Sequence, residues 1–123
     1  MRENKIQRDI RLALGADPRR GVFYRNAVGV AVHPGTGHTV RYGLCPGSSD
    51  LIGFTVVQIS PAHIGTAFAR FTALEVKTDT GRTSPGQRLF LDLVRMRGGF
   101  GAVVRSPEDA LAALERARLG ETE

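Results

Sequence analysis

The chain has 123 residues, of which 41% are hydrophobic and 24% are charged, so residues 1–123 are expected to form one folded domain with its own core. No apolar run is long enough to cross a bilayer and no apolar signal core is present, which excludes a membrane-spanning protein and favours a cytoplasmic one. The single cysteine, Cys45, cannot form an intramolecular disulfide, which agrees with a reducing compartment.

The balance of charge is basic. The formal net charge is +5, and the basic residues are fifteen arginines and two lysines. Arginine binds phosphate oxygens in a bidentate manner, which favours a nucleic-acid partner. An arginine excess also arises from GC-rich coding, and a charge of this size can serve solubility alone. The charge therefore leaves nucleic-acid binding and plain surface charge equally open.

The chain begins with a predicted helix from Glu3 to Gly15, in which Ile6 and Ile10 recur at helical spacing. Glu3 shares the inward side of this helix with Ile6, so its carboxylate is a candidate ligand for a site that faces the helix. The alternative is that Glu3 only stabilises the positive end of the helix dipole. A strand over residues 22–25 is predicted to follow after a loop.

The segment up to Gly47 is rich in glycine, and residues 33–38 are typical of a hairpin tip. Because glycines let a backbone approach a ligand closely, the segment is interpreted either as a mobile flap over a substrate or simply as a set of turns. Arg25 and Arg41 are candidate phosphate contacts, and ordinary surface arginines are the equal alternative.

Two apolar runs in the middle of the chain adjoin charged residues. Asp50 opens the run 51–57, and the run 71–76 contains Glu75 and is followed by Lys77. Turn residues between the runs predict an antiparallel hairpin, which would bring Asp50 and Glu75 together. Two adjacent carboxylates repel each other unless a cation lies between them, and such hard oxygen ligands suit Mg²⁺ or Mn²⁺.

The strand that carries Glu75 is predicted to have two different faces. Since side chains alternate along a strand, Glu75 and Lys77 share one face, and Leu74 and Val76 share the other. Charged side chains seldom enter a core unpaired, so we expect the apolar run 71–76 to be buried and its charged end to open onto a cleft. There Lys77 could orient or deprotonate a water and offset charge on a phosphate.

A second helix is predicted to begin at Ser84, with Pro85 in its first position. Ser84 and Gln87 form a capping-box pattern, in which the Gln87 side chain bonds to the Ser84 amide. Gln87 also shares a helix face with Phe90 and so points toward the proposed cleft, which leaves a role in the site open. The remaining predicted elements are a helix end at Gly98-Gly99, a strand over 101–105, a last helix capped by Ser106, and a frayed tail over 120–123.

Several short motifs occur in a fixed order along the chain. They are Glu3 with Ile6-Gln7, Tyr24-Arg25-Asn26 with Gly29, Tyr42-Gly43, Gly47-Ser48-Ser49-Asp50-Leu51-Ile52-Gly53, Leu74-Glu75-Val76-Lys77, Ser84-x-x-Gln87 and Gly98-Gly99. This order resembles the virus-type replication-repair nuclease (VRR-NUC) family of the PD-(D/E)XK nuclease superfamily over nearly the whole chain. Ser49 stands where the broader superfamily has proline before the aspartate, but the carboxylate itself is retained.

The resemblance implies an α/β fold with a restriction-endonuclease-like core, in the order αβββαβα, with a mixed sheet flanked by helices. It further implies a metal-dependent DNA endonuclease that uses Mg²⁺ or Mn²⁺. Under this interpretation Glu3, Asp50 and Glu75 bind the metal, Lys77 positions a water, Gln87 orients the water or the cluster, and Arg25, Arg41 and Ser48 contact the substrate.

Stand-alone members of the resembling family are phage-type proteins that are expected to form homodimers and to act on branched or junction DNA in viral replication, recombination or repair. The alternative is a non-catalytic DNA-binding or assembly module that retains the nuclease fold. Such a module would bind through its arginines, with a steep salt dependence and no need for a divalent ion. No residue in the sequence distinguishes DNA from RNA.

Overall fold

The computed structural model describes residues 2–123, with side chains from residue 4 onward. The chain divides into two compact units, Met1–Val57 and Gln58–Glu123. No helix within the described range is long and apolar enough to cross a membrane. The elements are α1 (Arg2–Gly15), β1 (Gly21–Arg25), β2 (Gly29–Val32), β3 (Thr39–Tyr42), β4 (Leu51–Thr55), a 3₁₀ turn (Pro61–His63), β5 (Thr72–Val76), α2 (Pro85–Met96), β6 (Phe100–Val104) and α3 (Pro107–Arg118).

The first unit combines α1 with two antiparallel strand pairs. β1 pairs with β4 in a register that places Arg25 opposite Leu51, and α1 packs against β1. β2 pairs with β3 in a hairpin whose turn spans residues 33–38, as the sequence predicts. Gly53 permits the approach of β4 to β1, because a Cβ at this position would lie 1.9 Å from the Val22 carbonyl oxygen.

The second unit is built on the parallel pair of β5 and β6. α2 packs against both strands, and α3 packs against β6. Phe100 is fully buried, which contributes about 1.5–3 kcal/mol relative to an exposed side chain. The buried hydrophobic residues of this unit lie on β6 and the two helices: Phe100, Ala102, Val104, Leu91, Val94, Ala113 and Ala117.

The starts of the last two helices follow the predicted capping pattern. Ser84 is the N-cap of α2 with Pro85 in the first turn, and Ser106 is the N-cap of α3. The Ser106 hydroxyl oxygen accepts a hydrogen bond from the Asp109 amide at 3.0 Å, which satisfies one of the free amides at the helix start. Both predicted helix starts are confirmed.

The mixed α/β class with three helices agrees with the expectation from the sequence, but the strands differ in number and pairing. Six strands occur within residues 2–123 rather than four, because the glycine-rich segment before Asp50 contributes β2 and β3. A hairpin of β4 with β5 was predicted, whereas the observed pairs are β1 with β4, β2 with β3, and β5 with β6. α2 connects β5 to β6, and a crossover of this length is what a parallel pair requires.

The apolar run 71–76 is less buried than expected. Leu74 and Val76 are 41% and 74% exposed, whereas Ala73, Glu75 and Lys77 are half buried. The prediction that Leu74 and Val76 are buried was therefore wrong. The reason is that α2 lies over the other face of the strand, the one that carries Glu75.

The C-terminal tail is held in place, so the prediction of a frayed tail was also wrong. The Gly101 amide donates a hydrogen bond to the Thr122 carbonyl oxygen at 3.0 Å. The Glu123 carboxylate lies 3.4 Å from Nη2 of Arg95, and its carbonyl oxygen accepts a hydrogen bond from Nε of Arg116. These contacts tie the tail to β6 and to both helices.

Candidate functional site

The second unit brings three of the predicted site residues together. Oε1 of Glu75 accepts a hydrogen bond from Nε2 of Gln87 at 2.9 Å and lies 3.5 Å from Nζ of Lys77. The side chains of Glu75 and Lys77 are only 28% and 21% exposed, so salt screens their attraction less than that of a surface pair. Oε2 of Glu75 accepts no hydrogen bond from the side chains and backbone of residues 4–123, and it remains available to a ligand.

Gln87 connects this carboxylate to the start of α2. Its Oε1 accepts a hydrogen bond from the Ser84 amide at 2.9 Å, and its own amide donates to the Ser84 hydroxyl at 3.1 Å. Because Oε1 of Gln87 faces an N–H group, Nε2 is the atom that must face Glu75. The two interpretations of Gln87, as a helix cap and as a site residue, are therefore compatible, since one side chain makes both sets of contacts.

A cleft of about 470 Å³ lies beside this group, between β5 and the first turns of α2. Its wall combines apolar side chains, including Ala73 and Phe90, with the polar groups of Glu75 and Gln87. Gly86, which has no side chain, forms part of the lining at the helix start. An apolar wall with a few converging polar groups is the common form of a ligand site, and Glu75 is the charged residue of β5 that lines this one.

Asp50 lies in the first unit, immediately before β4. The Asn26 amide donates a hydrogen bond to the Asp50 carbonyl oxygen at 2.8 Å, which extends the β1–β4 ladder by one residue pair. The Asp50 side chain is exposed, and its carboxylate forms no hydrogen bond or ion pair with any side chain that the structure describes. An exposed carboxylate without a protein partner is available as a metal ligand.

The loop before Asp50 is organised by Asn26. Nδ2 of Asn26 donates to the Ser48 hydroxyl at 2.7 Å and to the Ser49 carbonyl oxygen at 2.9 Å, and Oδ1 accepts from the Leu44 amide at 2.9 Å. Asn26 occurs in one of the sequence motifs, but the sequence alone does not indicate a role for it. The signal that could have revealed it is an asparagine directly after a predicted strand, since asparagine readily bonds to neighbouring backbone groups.

The three predicted substrate contacts differ in what their side chains already bind. The Ser48 hydroxyl donates to the Cys45 carbonyl oxygen at 2.7 Å and accepts from Asn26, so it is engaged within its own loop. Arg25 and Arg41 are exposed, and their guanidinium groups form no hydrogen bond or ion pair with the described part of the chain. The two guanidinium groups are therefore free to bind phosphate.

Arg105 is a second residue to which sequence reasoning gave no role. Its Nη1 donates to the carbonyl oxygens of Thr78 and Gly81, the latter at 2.8 Å, so it fixes the loop that follows Lys77. The Lys77 amide in turn donates to the Val104 carbonyl oxygen at 3.1 Å. The sequence feature that could have indicated a role for Arg105 is its position at the end of the strand next to β5. Neighbouring parallel strands end at the same edge of a sheet, so Arg105 lies near the end of β5.

The remaining predicted ligand is Glu3. It belongs to α1, but its side chain lies outside the described residues, so its predicted metal role stays a prediction. Among the side chains from residue 4 onward, no group of three or more His, Cys, Asp or Glu residues is suited to hold a metal ion. Burial raises the pKa of the Tyr24 hydroxyl on β1 above its ordinary value.

Comparison with known proteins gives one family. Residues 20–108 match the family model described as VRR-NUC domain, and this range includes Asp50, Glu75, Lys77 and Gln87 but not Glu3. No match was found among curated proteins or among solved structures.

Proposed function

Because the chain belongs to the VRR-NUC family, whose members are nucleases of the PD-(D/E)XK superfamily, we propose that it is a divalent-metal-dependent deoxyribonuclease that cuts DNA internally. The observation that carries this proposal is the contact of one Glu75 oxygen with both Lys77 and Gln87 beside a cleft. A carboxylate, an amine and an amide on adjoining elements are the groups that phosphodiester hydrolysis with a metal ion requires.

The donor set fits a hard divalent cation. Asp50 has a carboxylate without a protein partner in the described part of the chain, and Glu75 keeps Oε2 unbonded, so each offers an oxygen of the kind that Mg²⁺ and Mn²⁺ prefer. Asp50 and Glu75, with Glu3 as a third ligand, would hold the ion. When bound, such an ion supplies positive charge and Lewis acidity to a phosphate group. The proposal requires Asp50 and Glu75 to act in one nuclease domain formed by residues 1–123.

The chain's own residues supply the rest of the chemistry. Lys77 positions the attacking water with its ammonium group and offsets negative charge that develops on the phosphate oxygens. Gln87 holds Oε1 of Glu75, which restricts rotation of the carboxylate and directs Oε2 away from the helix start. Arg25 and Arg41 bind phosphates of the DNA backbone. Ser48, in the loop that leads to Asp50, also contacts the DNA.

The proposed substrate is branched or junction DNA, and the proposed active form is a homodimer. A chain of 123 residues has little surface for a long duplex, and symmetric cutting of a junction needs two active sites. A twofold dimer supplies two identical sites in a fixed relation. The proposed setting is phage DNA replication, recombination or repair in the cytoplasm of a bacterial host.

The test is cleavage of labelled junction, flap and linear duplex DNA, each with Mg²⁺ or Mn²⁺ and with a chelator. We expect the wild type to cut in the presence of metal, and Asp50→Ala and Lys77→Ala to lose cutting while still binding DNA. Lys5→Ala is the matched control, because Lys5 is the other lysine and pairs with Asp9 on the surface of α1.

The result that would overturn the proposal is binding of DNA by the wild type without cutting at any metal concentration. Binding that is independent of metal and falls steeply with salt would identify a non-catalytic DNA-binding module instead. Equal activity of Asp50→Ala and the wild type would remove Asp50 from the site even if the chain cuts DNA.

A further inference from the structure

All polar atoms of the Asn26 side chain are directed to one segment of the chain. Its side chain bonds to Leu44, Ser48 and Ser49 at 2.7–2.9 Å, and its backbone amide bonds to Asp50 at 2.8 Å. The four hydrogen bonds therefore hold both ends of the segment 44–50. Asp50, the proposed metal ligand, is the last residue of that segment.

The chemistry of the network admits only an asparagine at this position. Both hydrogens on Nδ2 of Asn26 are donated, and Oδ1 accepts, so each group of the amide is used. If the amide were reversed, its oxygen would face the Ser49 carbonyl oxygen, and two acceptors repel each other. The orientation of the amide is therefore fixed. Aspartate has the same shape but no hydrogens to donate, and glutamine is longer by one methylene group.

The loop has few other constraints. The Ser48 hydroxyl and amide bond to the Cys45 carbonyl oxygen, which closes only a local turn. Gly43 and Gly47 adopt φ values of +88° and +81°, which glycine adopts without strain but does not enforce. Asn26 and Ser48 are half buried, whereas the rest of the segment is exposed. The Asn26 side chain therefore ties this loop to the end of β1, beside the backbone bond from Asn26 to Asp50.

We propose that Asn26 is a positioning residue that sets the Asp50 carboxylate for metal binding by fixing the segment 44–50. This inference rests on the proposed nuclease function, in which Asp50 is a metal ligand. Residues that orient a ligand without touching the metal change metal affinity or activity by about 10- to 100-fold when they are replaced. The inference assigns such an effect to Asn26, although it contacts neither the metal nor the DNA in this scheme.

The experiment compares Asn26→Ala and Asn26→Asp with the wild type. Asn26→Asp keeps the acceptor for the Leu44 amide and loses both donors. Asn4→Ala is the matched control, because Asn4 is the other asparagine of the chain and lies exposed on α1. The readouts are the Mn²⁺ concentration for half-maximal cutting, kcat, KM for DNA, the Tm, and amide hydrogen exchange of residues 44–50.

We expect Asn26→Ala to raise the half-maximal Mn²⁺ concentration by about 10- to 100-fold, with KM for DNA unchanged. Asn26→Asp is expected to lie close to Asn26→Ala, and Asn4→Ala close to the wild type. Amide exchange should accelerate in residues 44–50 and remain unchanged in the second unit. The inference is overturned if Asn26→Ala keeps the metal dependence of the wild type, or if its loss of activity only follows its Tm.

A second readout separates this inference from the proposed function. Mn²⁺ binding to the wild type and to Asn26→Ala can be measured by calorimetry without DNA. If the wild type does not cut DNA, the proposed function fails, and weaker Mn²⁺ binding by Asn26→Ala still supports the positioning role. If both proteins bind Mn²⁺ equally, the positioning role of Asn26 is overturned whether or not the wild type cuts DNA.

Discussion

Gln87 donates a hydrogen bond of 2.9 Å to Glu75 and, with the other end of the same amide, accepts one from the Ser84 backbone. The bond between Gln87 and Glu75 joins the first turn of α2 to the strand β5, across 12 positions of the chain. A side chain that caps a helix is held in one rotamer by that cap. The cap of α2 therefore fixes the position from which Gln87 donates its hydrogen bond to the Glu75 carboxylate.

The first prediction separates the capping contact of Gln87 from its contact with Glu75. Gln87→Glu keeps an oxygen for the Ser84 amide but replaces the donor to Glu75 by a second carboxylate, which repels the first. We expect the Tm to stay near that of the wild type while cutting falls by about 10- to 100-fold, the range for residues that orient a metal ligand. DNA cutting and thermal unfolding measured on the same preparation check this.

Gln58→Glu is the control for added charge, because Gln58 is exposed and follows the first unit. It should behave like the wild type in both measurements. Full activity of Gln87→Glu would mean that the bond between Gln87 and Glu75 has no part in the chemistry.

The second prediction compares two serine N-caps whose hydroxyl-to-amide distances are nearly equal. The Ser84 hydroxyl accepts from the Gln87 amide at 3.1 Å, and the Ser106 hydroxyl accepts from the Asp109 amide at 3.0 Å. Replacing either serine by alanine should lower the free energy of unfolding by about 1 kcal/mol. Only Ser84→Ala should also reduce the rate of cutting, because only that cap holds a side chain that contacts Glu75. Urea unfolding and cutting rates of both variants provide the measurement, and an equal loss of rate in the two would contradict it.

The sequence predicted the local features of this fold well because local chemistry determines them. The N-caps at Ser84 and Ser106, the hairpin turn over residues 33–38 and the shared face of Glu75 and Lys77 all follow from interactions within a few residues. The metal-site hypothesis for Asp50, Glu75 and Glu3 came from the same kind of pattern, and it stays a prediction.

The features that the sequence did not predict depend on distant partners. The pairing of β1 with β4 and of β5 with β6 is set by which strand edges meet, and neither is encoded in a short pattern. The exposure of Leu74 and Val76 depends on which face of β5 receives α2, and the order of the tail depends on contacts with Arg95 and Arg116. The contacts of Asn26 were not predicted, because the segment that it holds begins 18 positions later in the chain, at Leu44.

The third prediction concerns the chemistry of Lys77. Lys77→Arg keeps the positive charge near Glu75, but the guanidinium remains protonated and its planar fork does not reproduce the position of an ammonium. If Lys77 positions or deprotonates a water, the rate of cutting should fall by about 10²-fold or more while the affinity for DNA is retained. Single-turnover cutting and DNA binding with Ca²⁺ in place of Mg²⁺ measure the two quantities. A rate near that of the wild type would show that Lys77 contributes only its charge.

The last prediction tests Arg25 and Arg41 as phosphate contacts. Both side chains are exposed and without a partner in the described residues, and Arg25 lies opposite Leu51, the residue that follows Asp50. Each contact with a phosphate releases counterions, so losing one should lower the slope of log K against log salt by about 0.9 for duplex DNA. Arg25→Ala and Arg41→Ala should therefore raise KM and flatten the salt dependence with kcat little changed, because the substituted groups are absent from the chemical step.

Arg19→Ala is the control, since Arg19 is 82% exposed and lies 3.5 Å from the Asp17 carboxylate. Salt slopes that equal the wild-type slope in both variants would place the DNA on another surface of the protein.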